Sequence, residues 1–223
     1  MVQKVMVSWS GGKDSALSLQ KVMNDPNYEV SGIFSTTSEE SGRLPVHEVK
    51  VWLLQKQANA LDLPLTIIPI PSHASNKVYE QCLGDFFRQC LEKGIDMVVF
   101  ADIFLEDIKA YRDQLLNQFQ MKGHYPLWGS TSRLVGNMFI AEGFQALVTT
   151  IDQNELGKEW VGKVYDSSFL KELPDSVDPC GENGEFHTFV YNGPIFKWPL
   201  SLKQGGRFST LDERFIHVEL EEK

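Results

Sequence analysis

Six consecutive residues, Ser10-Gly11-Gly12-Lys13-Asp14-Ser15, combine two positions without side chains, an ammonium, a carboxylate and two hydroxyls. Such a set can grip an oxyanion. The glycines let the backbone approach closely, and a helix starting near Lys13 or Asp14 would offer unpaired amides with its dipole behind them. Asp14 is out of place in a purely anion-binding loop, because it repels phosphate; it fits if a magnesium ion lies between it and the phosphates. The same hexapeptide would also serve as a tight Gly-Gly turn capped by Ser and Asp. A second dense stretch holds Glu182, Glu185 and His187 around Gly181 and Gly184. On a strand over 186–190, Glu185 and His187 would share one face. An acid and an imidazole so placed could bind an ammonium or another cation, or move protons. The bland alternative is a glycine-rich turn with solvated carboxylates and a surface histidine.

The first loop is not a Walker cradle. Setting Gly12-Lys13 on the end of G-x-x-x-x-G-K-[ST] demands Gly at position 7 and Ser or Thr at 14, where the chain has Val7 and Asp14. No G-x-G-x-x-G is present either.

The elements that must position these residues follow from periodicity. Val5 to Trp9 predicts a buried strand, and Ala16, Leu19, Val22 and Met23 predict a helix after the loop. Strands are expected over 28–37, 63–70 and 96–102, with helices over 46–63, around Tyr79 to Cys90, and from Phe104 to Phe119. Strands alternating with helices imply a parallel sheet covered on both faces. Right-handed crossovers put every strand-to-helix loop at one edge, where ligands bind. The 10–15 loop, residues 35–37 and Asp102 should therefore share a rim. His47 should lie near that rim, or else be an ordinary residue at a helix N-terminus. After about Lys122 the rhythm changes to a short helix and strands over 145–152, 185–192 and 214–220. The expected fold is α/β, a doubly wound parallel sheet in 1–123 followed by a smaller α/β domain in 124–223.

Composition narrows the function classes. Hydrophobic residues make up 42% and charged residues 23% of the 223, the balance of a soluble globular chain. No apolar run approaches the ~20 residues of a membrane span, and no signal peptide is evident, so a cytoplasmic protein is expected. A net charge of −9 gains little from counterion release on nucleic acid. Cys82, Cys90 and Cys180 form no C-x-x-C pair, which disfavours a zinc site or a disulfide framework.

The spelling of both loops adds a resemblance. SGGKDS resembles the PP-loop of the ATP pyrophosphatases, the adenine nucleotide alpha-hydrolase-like enzymes. D-P-C-G-E-N-G-E-F-H-T-F-V (178–190) resembles the second signature of the diphthine–ammonia ligase family within them. LPVHEVKVWLLQKQANALDLPL (44–65), VVFADI (98–103) and YPLWG (125–129) extend the likeness over nearly the whole chain. The resemblance implies a sheet of the alpha-hydrolase type and an AMP- and pyrophosphate-forming ligase using ATP and Mg²⁺. In that family the carboxyl of diphthine on elongation factor 2 is adenylated, and ammonia then displaces AMP.

Carried over, Ser10, Gly11, Gly12, Lys13, Asp14 and Ser15 would hold ATP, with Asp14 on the metal. Thr36 would meet the adenine or ribose, and Asp102 matches the family's Gly-Asp-Ile position with Ala101 replacing glycine. Lys13, Asp14, Glu182, Glu185 and His187 would be the catalytic set, the last three holding ammonia or the acceptor carboxylate. Members acting on elongation factor 2 commonly carry Arg-x-Glu with a nearby Cys; here Arg112 is followed by Gln114 and no cysteine, which leaves the acceptor open between a protein and a small-molecule carboxylate. The rivals are a PP-loop RNA-modifying enzyme, which the acidic charge disfavours, and an ATP-binding sensor without turnover. A homodimer stays open as the assembly.

Overall fold

The computed structural model describes residues 2–223. Strands β1 (Gln3–Ser8), β2 (Tyr28–Ser38), β3 (Leu65–Ile70), β4 (Met97–Val99) and β5 (Lys122–His124) form one parallel sheet in the order β3-β2-β1-β4-β5. Alternate residues of these strands enter opposite cores. Val5, Val7, Ile33 and Val99 pack with helices α1 (Lys13–Met23) and α2 (Val51–Leu61). Met6, Phe34, Ile68 and Val98 pack with α3 (Asn76–Glu92) and α4 (Glu106–Asn117) on the other face. The sheet is thus doubly wound, and its strands read as continuous apolar runs because both faces are buried. Strand order reverses between β1 and β4, so the crevice beyond their carboxyl ends is the topological switch point.

The C-terminal part adds α5 (Ser132–Ala141), β6 (Gln145–Asp152), a 3₁₀ turn at Lys158–Trp160, α6 (Ser167–Glu172), β7 (Phe186–Asn192), β8 (Leu202–Thr210) and β9 (Phe215–Glu222). Its four strands form an antiparallel sheet, β7-β6-β9-β8. A single apolar core joins this sheet to the first through α1, α2 and α5, running from Val5 and Leu19 through Leu53 and Phe139 to Phe186 and Leu220. Helix α1 lies between the two sheets, which is why most of its residues are buried rather than one stripe alone.

The structure departs from the periodicity in three places. The helix expected from residue 46 begins at Val51, because residues 43–50 form a tight turn instead. Leu44 donates to the Val49 carbonyl, Arg43 pairs antiparallel with Lys50, and Val46 and Glu48 adopt φ of 66° and 54°. His47 therefore sits at the tip of a turn and not on a helix. The strand expected over 96–102 keeps only Met97–Val99, leaving residues 100–102 to turn toward the switch point. Residues 122–124, for which no strand was expected, pair with β4 as the edge strand β5. Among the described residues no helix is long and apolar enough to cross a membrane.

Candidate active site

The loop after β1 is built by its neighbours. Gly11 has φ of +74°, and a Cβ there would come within 2.7 Å of Gln57 Oε1. A Cβ on Gly12 would press on the Thr188 carbonyl at 3.1 Å. Gly11 is required by its positive φ and by this contact with α2, while Gly12 spares the β7 backbone a shift of a few tenths of an ångström. Gln57, wholly buried, accepts from Trp9 Nε1 (2.9 Å) and donates to the carbonyls of Gly11 (2.9 Å) and Val190 (2.7 Å). The Val190 amide also donates to Gly11, and the Lys13 amide to Thr188 Oγ1 at 3.1 Å. Ser10 and Ser15 brace the turn: Ser10 Oγ accepts from the Gly12 amide, and Ser15 Oγ donates to the Gly12 carbonyl at 2.9 Å. Among the described residues nothing accepts from the amides of Asp14 and Ser15, which open α1. They are free for an anion.

Lys13 points toward the C-terminal loop. It is 2% exposed; Nζ donates to Asp14 Oδ2 at 2.8 Å and to the Cys180 carbonyl, 5.5 Å from the ring centroids of Tyr165 and Phe186. Burial lowers its pKa, but the charge of Asp14 and further negative partners outweigh burial, and the net shift is upward. Asp14 keeps its second oxygen, Oδ1, buried without a partner. A carboxylate oxygen orphaned beside free helix amides fits a cation shared with bound phosphates. Among the described residues no group of three or more His, Cys, Asp or Glu is arranged to hold a metal by itself. Asp14 could supply one ligand only, the rest coming from phosphate and water.

The second loop spends two of its three acids on itself. Asp178 Oδ1 accepts from the amides of Cys180 (2.8 Å) and Glu182 (3.1 Å). Glu185, 4% exposed, accepts from the Asp178 amide (2.9 Å) and from the backbone and side-chain nitrogens of Asn183 (both 3.0 Å). It organises the loop and stands apart from the cavity, so the shared face expected for Glu185 and His187 is not one working surface. Glu182 does enter the cavity: Oε1 accepts from the Ile103 amide at 2.9 Å. Burial, with repulsion from Asp14 and Asp102, raises its pKa to about 7 against the pull of that amide and of Lys13. Asp102 forms an ion pair with Arg112 (Oδ2 to Nε, 2.9 Å), whose guanidinium lies over Phe100. Burial still raises the Asp102 pKa above its usual value.

Two adjoining cavities open at the switch point. The smaller, about 220 Å³, is lined by Ser10, Gly12 to Ser15, Asp102, Glu182, His187 and Thr188 among others. The larger, about 580 Å³, runs under Thr36 along the ends of β1 and β2 to Tyr79 and Tyr111. Ser8, Ser10, His47, Phe100 and Arg112 line both and form the neck. The structure thus brings the first loop, Asp102, Glu182 and His187 to one chamber, and Thr36 to the next. It adds residues that spacing did not single out. Gln57 was visible only as a polar residue inside the stripe Leu53, Leu54, Ala58 and Leu61. Tyr165 carried no signal of its own, and Thr188 only its place within the second signature.

Two family models match the chain. The family model named Diphthamide synthase N-terminal domain matches residues 3–123, and the one named Diphthamide synthase C-terminal domain matches 132–223. No curated protein matches the chain. With its doubly wound sheet, its PP-loop and both family models aligned over nearly its full length, the chain belongs to the diphthamide synthase family.

Proposed function

We propose that the chain is an ATP-dependent ligase that joins ammonia to a carboxylate through an acyl-adenylate, releasing AMP and pyrophosphate. The observation that carries this reading is the two-chambered cavity at the β1/β4 switch point, polar and loop-lined in one chamber, half apolar in the other. The larger chamber has the size of a small-molecule site, typically about 300–1,000 Å³. It takes the adenosine, with Thr36 beside it. The free amides of Asp14 and Ser15 take the outer phosphates, which brings the α-phosphate to the neck. A bound Mg²⁺, held by Asp14, would neutralise charge on the phosphates. Lys13 is already tied to Asp14 and Cys180, so it fixes the two loops against each other and lends its charge to the chamber from that position.

A carboxylate oxygen of the acceptor attacks the α-phosphorus, and the bond to the β-phosphate breaks. Ammonia then attacks the acyl carbon, and AMP leaves. Glu182 accepts the proton that the nitrogen must lose, its pKa being tuned close to neutrality. The family's name, diphthamide synthase, supports diphthine as the acceptor, and the resemblance of the two loops would place that diphthine on elongation factor 2. The departure at Gln114 bears on that choice and not on the chemistry of the neck.

The test is incubation with ATP, Mg²⁺ and ammonium chloride followed by ³¹P NMR. AMP and pyrophosphate, formed slowly without the acceptor, are the expected products. ADP and phosphate would overturn the cleavage site, and tight ATP binding without turnover would make the chain a sensor.

A further inference from the structure

We propose that the adjacent imidazoles of His47 and His187, which line the small chamber together with Glu182, are the seat where an ammonium ion is received and deprotonated. This rests on the ligase reading above and assigns the nitrogen to a definite pair of rings.

The pair is assembled from two distant parts of the chain. His187 lies on β7; His47 lies at the tip of the 43–50 turn; the ring centroids are 4.1 Å apart with the planes inclined by 31°. The turn is held in a costly shape. Val46 and Glu48, on either side of His47, both sit in the left-handed region, which a β-branched residue rarely adopts. It is also fastened to the C-terminal sheet. The His47 carbonyl accepts from Thr150 Oγ1 at 3.1 Å, and Glu219 on β9 takes both Arg43 (2.9 Å) and Lys50 (2.8 Å). Backbone strain combined with three ties to another sheet marks His47 as deliberately positioned.

Neither ring is used within the protein. Among the described residues no side chain or backbone group hydrogen-bonds to any of the four ring nitrogens; Nδ1 of His47 and Nε2 of His187 are fully buried in that state. Buried polar atoms are ordinarily paired, so two adjacent unpaired imidazoles call for a ligand. Burial, with Lys13 and His217 nearby, keeps both imidazoles uncharged at neutral pH, and the His47 ring adds to the effect on His187. Uncharged rings offer lone pairs, which suit an N–H donor and not a phosphate. Lys13 has its partners already, while Glu182 retains Oε2 without a partner. An ammonium ion in this seat donates to an imidazole nitrogen and to Glu182. One N–H bond breaks, its proton passes to the Glu182 carboxylate, and the electron pair stays on nitrogen for attack at the neck, which His47 also lines.

The test uses the full chain with ¹⁵N-labelled histidine rings, titrated with ammonium chloride and, separately, with sodium chloride. Of the five histidines, His47 and His187 should shift saturably with ammonium and not with sodium. His187→Asn and Glu182→Gln, checked for folding by near-UV circular dichroism, should each weaken the response of His47 at least about 10-fold. Equal shifts with both salts, or none, would overturn the inference. AMP release is measured apart from this. AMP formation without ammonium-specific shifts sinks the seat alone; ammonium-specific shifts without AMP formation support the seat and sink the ligase.

Discussion

The two loops that meet at the chamber solve opposite problems with similar residues. Loop 10–15 is held from outside, by Gln57, Val190 and Thr188, and leaves its own amides at Asp14 and Ser15 unspent. Loop 178–185 is held from inside, Asp178 and Glu185 accepting five hydrogen bonds from its own nitrogens, with Glu182 left over. Glycine and carboxylate in a short stretch thus mean an open anion cradle in one case and a self-stapled turn with a single working acid in the other. What separates them is whether another element supplies the support.

Lys13 crosses between the loops, so its loss should have the largest effect. Lys13→Ala removes a buried ammonium from Asp14 and Cys180 together. AMP formation should fall by at least about 10²-fold, and stability by about 3 kcal/mol, because Asp14 keeps a half-buried charge without its partner. A variant with intact AMP formation would break the picture of one shared junction.

The two glutamates sharpen the contrast. Glu185→Gln should lower the urea midpoint by the equivalent of about 2 kcal/mol, since a charged acceptor of three hydrogen bonds is replaced by a neutral one. Its rate per folded molecule should stay within about threefold of the parent. Glu182→Gln should do the reverse: stability at pH 7 unchanged or raised, because a neutral amide replaces a buried acid that resists ionisation, and about 10²-fold slower ammonium-dependent AMP release. Interchanged results would mean that the second loop's working acid is the other one.

The chamber also writes a pH signature on stability. Burial lowers His47 and His217 to about 4, and His187 well below its usual value. Depressed histidines stabilise the fold above their unfolded pKa and lose that contribution as pH falls from about 6.5 toward 4. At pH 5 this amounts to about 2 kcal/mol for His47 and about as much for His217, with His187 adding to it. Glu182 works the other way. Raised to about 7, it stabilises the fold as pH falls through that value and offsets roughly one histidine. The net expectation is a lower urea midpoint at pH 5 than at pH 7, and a steeper fall in Glu182→Gln, which lacks the offset.

Much of this was legible in the sequence for a physical reason. Strands buried on both faces must be apolar throughout, as Val5 to Val7 and Ile67 to Ile70 nearly are, so the sheet and its switch point followed from local pattern. SGGKDS was legible because paired glycines between an apolar strand and a helix mark a tight turn open to close approach, and the adjoining lysine and acid supply charge there. Residues whose role is set by a distant partner were not legible. Glu182 and Glu185 are three positions apart, and only the Ile103 amide on one side and Asn183 on the other decide which faces the chamber. His47 looked helical because Val46, Val49 and Leu53 keep helical spacing; the turn wins through Arg43 and Lys50 pairing across it and reaching Glu219 on β9.

Helix α2 provides the smallest effect and a check on what joins the two sheets. Besides the buried Gln57 it makes an exposed link, Asp62 to Lys197 at 2.6 Å, just beyond its last turn. Both partners are more than half exposed, and a pair of this kind contributes about 0–1 kcal/mol. Asp62 also ends the helix with φ of 57°, a conformation glycine adopts without the steric penalty of a Cβ. Asp62→Gly should therefore lose a few tenths of a kcal/mol from the ion pair and regain about as much from the backbone. The melting temperature should move by no more than about 2 °C. A large drop would show that surface charges hold the sheets together, and would take from Gln57 and Lys13 the role that their burial assigns them.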